Sequence, residues 1–244
     1  MRPGKRRNLQ AECYADAVKK SQDIPVTHPT TQARAFLDQE KIPYETHWSG
    51  LIVRETIDLS NRGLKSLPDL RCVLIMKGDF RCDNNELTSL FGSPRGISSG
   101  SFFCHDNKLT SLEHGPENVN DGYYCNDNDL ETLSGAAQRV KSFDCRCNPR
   151  LSSLMGGPER ALSFDCRGLG LKDLCGCPRR FEVLRSNFGT FDCFADIPLR
   201  LAYPPEEIEK IVAAAANLTA EQARDINDKT GAVVINKSHP RIRM

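Results

Sequence analysis

Residues 80–94 read FRCDNNELTSLFGSP and residues 102–116 read FFCHDNKLTSLEHGP. Laid over one another, the stretches share an aromatic residue, a Cys two places on, an Asn three places later, two leucines and a closing Pro. The pattern continues down the chain. Cys82, Cys104, Cys125, Cys145 and Cys166 stand 22, 21, 20 and 21 residues apart. Phe80, Phe102, Tyr123, Phe143 and Phe164 precede them by two places, and Asn85, Asn107, Asn128 and Asn148 follow the first four by three. Leucine pairs come next, Leu87/Leu90, Leu109/Leu112, Leu130/Leu133, Leu151/Leu154 and Leu171/Leu174, and Pro94, Pro116, Pro158 and Pro178 close their units.

Degenerate copies flank this run. Upstream, Ile57-x-Leu59-x-x-Arg62-x-Leu64-x-x-Leu67 keeps the apolar spacing with Leu59 in the Cys place. Downstream, Leu184-x-Ser186-x-x-Gly189-x-Phe191-x-x-Phe194 keeps it again and ends on Pro198, which makes seven units. A fixed period near twenty residues denotes a solenoid, because one such unit cannot bury its apolar side alone. Strand side chains alternate, so the aromatic residue and the Cys two places on point inward together. So short a unit leaves room for a strand of about three or four residues and a turn-like return, not a full helix. The fold class expected is α/β leaning β, a slender solenoid over residues 51–198.

These residues resemble the leucine-rich-repeat family, whose core reads L-x-L-x-x-N-x-L-x-x-L. An aromatic and a Cys stand here for its first two leucines. The resemblance implies that each Asn satisfies backbone groups in the turn after its strand. Arg62, Leu169 and Gly189 fill that place in other units, so the Asn ladder should be interrupted there. The variant with Cys-x-x-Asn and Gly-x-Pro is similar to short repeats in many tailed-phage and some bacterial proteins. It covers about 140 of the 244 residues, and it implies a phage owner, with the protein a virion component or an agent acting on a host protein.

A hydrophobic content of 39% beside 27% charged residues marks a soluble globular chain. The net charge of +1 gives no global pull toward nucleic acid, membrane or acidic substrate. No apolar run approaches the roughly 18 residues of a membrane span, and the basic start Arg2–Arg7 lacks the apolar stretch of a secretory signal. A cytoplasmic or virion-associated location is expected. Of the 11 cysteines, five fall on a repeat position also filled by Leu59 and Ser186, which fits a small buried filler in a reduced ladder.

Residues 1–50 carry no repeat and read as a tail and helical cap. One helical stripe runs through Leu9, Cys13, Ala17 and Val18, and another spans Thr31 to Gln39 with Ala33, Phe36 and Leu37 on one face. Trp48 precedes a candidate strand at Leu51–Val53. After Pro198 the residues 199–244 read as a helical cap or a docking arm. Pro204-Pro205-Glu206-Glu207 opens a helix through Ile208, Ile211, Val212 and Ala215, and Thr219 with Gln222 opens a second. Ala232–Ile235 suggests a strand before a basic tail.

The outward positions of the repeat strands carry the functional expectation. Before the Cys the column reads Asp58, Arg81, Phe103, Tyr124, Asp144, Asp165 and Arg185; after it, Ser60, Asp83, His105, Asn126, Arg146, Arg167 and Asn187. Packing holds the inward positions nearly constant, whereas these vary. Phe103 and Tyr124 should be neighbouring exposed rings beside His105 and Asn126, and aromatics with Arg dominate protein interfaces. The charges Asp144, Arg146, Asp165 and Arg167 either serve the same surface or pair across rungs. The partner-binding set is thus Arg81, Phe103, His105, Tyr124, Asn126, Asp144, Arg146, Asp165, Arg167 and Arg185.

Catalytic signatures are missing from the sequence. No H-E-x-x-H, G-x-S-x-G or phosphate-binding glycine loop occurs, and alternation points Cys104 and His105 to opposite faces. Cys145, Cys147, Cys166, Cys175 and Cys177 contain two C-x-C pairs, yet structural zinc prefers C-x(2–4)-C. No metal or cofactor is expected. The reading is a non-catalytic protein-interaction module. Docking into a larger assembly through the ends is the alternative, and nucleic-acid binding through the basic termini is third.

Overall fold

The computed structural model describes residues 29–215. The stripe at Leu9–Val18, the helix from Thr219, the strand at Ala232–Ile235 and both basic ends lie outside the described residues. In chain order the strands are β1 (Tyr44–His47), β2 (Gly50–Val53), β3 (Ile57–Asp58), β4 (Val73–Ile75), β5 (Phe80–Arg81), β6 (Gly96–Ile97), β7 (Phe102–Phe103), β8 (Asn118–Val119), β9 (Gly122–Tyr124), β10 (Arg139–Asp144), β11 (Arg160–Cys166), β12 (Val183–Ser186) and β13 (Gly189–Phe191). The helices are α1 (Pro29–Gln39), α2 (Leu199–Ala202) and α3 (Pro205–Ala215).

Two sheets result, one ordered β13-β12-β11-β10-β9-β7-β5-β3 and one ordered β1-β2-β4-β6-β8. All pairings are parallel except the hairpins β1–β2 and β12–β13. The chain therefore winds a β-solenoid of about six turns. The sequence suggests one strand per unit; the structure adds a second. Its inward column is Val53, Ile75, Ile97 and Val119, all buried and in register from rung to rung.

In the larger sheet, Ile57, Phe80, Phe102, Tyr123, Phe143, Phe164 and Leu184 stand in register. The five aromatic side chains are buried and pack ring on ring, with centroids 5.8, 4.9, 5.5 and 5.4 Å apart in order. The five ladder cysteines lie beside them, fully buried and unpaired. Each fills the volume of a small apolar residue, and the thiols of Cys82, Cys125, Cys145 and Cys166 also donate to the carbonyl of the next rung at 3.3–3.5 Å. The leucines from Leu87 to Leu154 complete the interior.

Strand lengths follow the corner between the sheets. Four residues separate Ile75 from Phe80 and Ile97 from Phe102, but only two separate Val140 from Phe143 and Ala161 from Phe164. The long corners turn sharply at glycine. Gly100 has φ +149°, and a Cβ there would fall 2.0 Å from the carbonyl oxygen of Gly78 one rung below. With the short corners the two strands fuse, which makes β10 six and β11 seven residues long while β5 and β7 have two.

The Asn ladder stitches the turns together. Asn107 accepts from the Leu87 amide at 2.9 Å and donates to the carbonyls of Cys82 and Cys104. Asn128 repeats this with Leu109, Cys104 and Cys125, and Asn148 with Leu130, Cys125 and Cys145. Leu169 breaks the ladder as the sequence implies. The Leu151 amide that would have met an Asn there bonds the Asn148 carbonyl instead. Asn187, two places before the expected slot, accepts from Gly168 and donates to Leu169.

The seventh unit departs from the repeat. Instead of coiling, it folds back as β12–β13, an antiparallel hairpin closed by Ser186 Oγ donating to the Gly189 carbonyl at 3.0 Å. Phe194 then packs edge-on to Tyr203, both buried. At the other end α1 buries Ala33 and Leu37 in the same core, and Trp48 occupies the tip of the β1–β2 hairpin, 90% exposed. No helix among the described residues is long and apolar enough to cross a membrane.

Candidate functional site

The outer side of the larger sheet gathers all the residues singled out above, though not in the form the sequence suggests. Because β5, β7 and β9 are in register, Arg81, Phe103 and Tyr124 are direct neighbours on successive rungs. The Phe103 and Tyr124 rings stack face to face, 4.8 Å between centroids and 12° between planes. The Arg81 guanidinium lies over the other side of Phe103 at 4.9 Å, and His105 meets that ring edge-on at 6.3 Å. The rings were expected to be exposed. They are half-buried, because each covers its neighbour and Tyr124 also lies over Gly122, where a Cβ would come within 2.4 Å of its ring.

The charged positions need a larger correction. Asp144 and Asp165 are 9% exposed and Asp83 is 4% exposed, so these carboxylates are buried rather than displayed. Cross-rung pairing was one expectation, and the strongest pairs run along the strand instead. Residues two apart on one strand share a face, which lets the longer Arg fold back over the Asp. Arg146 grips Asp144 with Nε and Nη2 at 2.9 and 2.7 Å, and Arg167 grips Asp165 in the same way. Arg81 holds Asp83 at 3.3 Å. Of the cross-rung pairs, Arg146–Asp165 survives as a longer contact of 3.7 Å. Arg185 leans back to Ser163 Oγ at 3.3 Å.

His105 stands between two carboxylates, with Nδ1 2.7 Å from Asp106 and Nε2 3.8 Å from Asp83. Asn126 makes the equivalent reach to Asp127 at 2.7 Å. Cys104 lies fully buried beneath the sheet, on the side away from His105. The face thus offers a flat aromatic patch ringed by charges that already hold partners.

A further column shapes the edge of this face. Asn61, Asn84, Asp106, Asp127 and Cys147 all take the left-handed backbone, with φ between 53° and 57°, and Gly168 continues the column at 70°. Asn, Asp and Gly recurring two places after the Cys is the composition that this conformation selects. It was visible as a signal of turn geometry, and it is what supplies Asp106 and Asp127 to the face. The Asn84 side-chain amide donates to Oδ1 of the Asn61 side chain along this edge.

Among the described residues no three His, Cys, Asp or Glu converge in metal-binding geometry. Burial, with nearby thiols and carboxylates, pushes the Cys145 thiol far above its usual range, and the Cys177 thiol is pushed up to about 12. Of the C-x-C pair at 175 and 177, Cys177 is buried and Cys175 half-buried. No family model, curated protein or solved structure matches the chain.

Proposed function

We propose that this protein is a non-catalytic interaction module of leucine-rich-repeat type, and that a protein partner docks on the outer side of its larger sheet over Phe103 and Tyr124. The observation that carries the reading is the stacked pair itself. It is the one place on that face where two large rings lie side by side, and the surrounding Asp–Arg pairs are already satisfied. A partner covering an apolar patch inside a rim of paired charges gains burial without stranding a lone charge. The ends, with Ala33 and Leu37 at one and Phe194 and Tyr203 at the other, serve in this reading as caps over open rungs. The resemblance to short phage and bacterial repeats supports a partner in a host cell or in a virion.

The test is affinity capture from the native source with wild type and the Phe103→Ser/Tyr124→Ser variant side by side. Both side chains are half-buried on the surface, so the variant should keep its circular dichroism and most of its thermal stability. A partner held by the wild type and lost by the folded variant supports the sheet face. A partner held equally by both refutes it and moves function to the ends.

A further inference from the structure

The larger sheet carries, at the start of β10 and β11, a charge pattern of a different kind. Arg139 on β10 and Arg160 on β11 are register partners, and Arg160 is bridged in parallel to Arg180 on the next turn. All three are exposed, and the residues that follow Arg139 and Arg160, Val140 and Ala161, are buried, so the arginines share the outer side. Strands in a sheet lie about 4.8 Å apart, which places three like charges over two rung steps. Like charges directly opposite one another on neighbouring strands are destabilising.

Many of the chain's arginines are neutralised, and others take a different partner, Arg185 the Ser163 hydroxyl and Arg179 the rings of Phe194 and Tyr203. Arg54, Arg62, Arg71, Arg81, Arg146 and Arg167 each hold a carboxylate. Among the described residues no carboxylate lies within 4.0 Å of Arg139, Arg160 or Arg180, while nearby Lys141 is taken up by Asp121 at 2.5 Å. The same repeat position holds Gly96 and Asn118 in earlier units, so the charge is confined to three successive turns.

We propose that this column is a binding site for an oxyanion of linked phosphoryl groups. A guanidinium presents paired donors in a planar fork that matches phosphate oxygens. Three forks at rung spacing meet a short linear polyphosphate along its length, and the bound anion removes the repulsion between them. An isolated phosphate reaches at most two of the forks. The site is separate from the aromatic face and does not depend on it.

The experiment is calorimetric titration of the full chain with inorganic phosphate, pyrophosphate and tripolyphosphate, with ionic strength held constant by sodium chloride. Affinity should rise along that series, and Arg160→Gln should weaken tripolyphosphate by about tenfold or more, as loss of a charged hydrogen-bonding group implies. Arg160→Lys should fall between, and Arg54→Gln on the distant hairpin should bind like wild type. Without ligand, Arg160→Gln should melt no lower than wild type, because removing the middle charge relieves its neighbours. Tripolyphosphate heat no larger than that of phosphate, or equal affinity in wild type and Arg160→Gln, would overturn the proposal.

Discussion

Asn128 shows how one side chain can hold two turns. It is nearly buried, its Oδ1 accepts from the Leu109 amide at 3.0 Å, and its Nδ2 donates to the Cys104 and Cys125 carbonyls. Asn128→Ala would strand the buried Leu109 amide, while the Cys104 and Cys125 carbonyls keep Asn107 and Asn148 as donors, and an orphaned group of this kind costs about 1–3 kcal/mol. A loss of about 1–3 kcal/mol is expected, read as a lower urea midpoint at unchanged slope. Asn128→Asp should not rescue it, since a carboxylate cannot donate to the carbonyls. Asn187, at the exposed edge of the ladder, should tolerate Ala with a loss under about 1 kcal/mol. The cysteines sort in the same way. Cys147 and Cys193 are exposed, whereas the ladder thiols are buried and held protonated by that burial. Under reducing conditions, iodoacetamide followed by mass spectrometry should label Cys147 and Cys193 in the native protein and the ladder cysteines only in denaturant. Native labelling of Cys104 or Cys125 would show that the rungs open locally.

At the scale of the elements, the corner between the sheets decides strand length. Gly100 approaches the Gly78 carbonyl too closely for any Cβ, so Gly100→Ala must move backbone on two rungs, and a cost of about 3 kcal/mol is expected. Gly63 also has positive φ but open space around it, so Gly63→Ala should cost only about 1–2 kcal/mol. Paired thermal melts of the two variants check the contrast, and equal losses would remove the close approach as its cause. These corners also mark where the sequence stops being legible. The aromatic–Cys strand could be read because it places two inward residues at a fixed distance from the Asn and leucines. The second strand gives one apolar residue per unit, and its distance to the aromatic shrinks from Ile75–Phe80 to Ala161–Phe164, so no constant period marks it. The outward columns were placed correctly, since alternation fixes side. Exposure was not, because it depends on how far Arg146 and Arg167 fold back over Asp144 and Asp165. The closing hairpin at β12–β13 keeps the spacing of a repeat unit in sequence and differs only in where Gly189 sends the chain.

For the whole molecule, the thiol column makes stability depend on alkaline pH. Burial raises the titration of Cys82, Cys104, Cys125, Cys145 and Cys166 above that of a free thiol, as it does for Cys177. An unfolded thiol loses its proton near pH 8.5, and the folded one keeps it. Below that pH both states carry the proton and the ladder is neutral in the balance. Above it the unfolded state binds fewer protons, so stability falls as pH rises until the folded thiols titrate as well. Each thiol contributes a slope of about 1.4 kcal/mol per pH unit, and five in concert approach about 7. A domain of ordinary stability, about 5–15 kcal/mol, is exhausted within one to two units of such a slope. Cooperative unfolding is therefore expected near pH 10, in reducing buffer, from a protein whose melting temperature is flat between pH 7 and 8. Cys125→Ala lowers stability at pH 7 through lost packing, yet its decline with pH should be shallower by one thiol's share. Following circular dichroism against pH for both proteins separates the two effects. A wild-type curve that stays flat to pH 11, or equal slopes in the two proteins, would mean that the ladder thiols do not remain protonated in the folded solenoid.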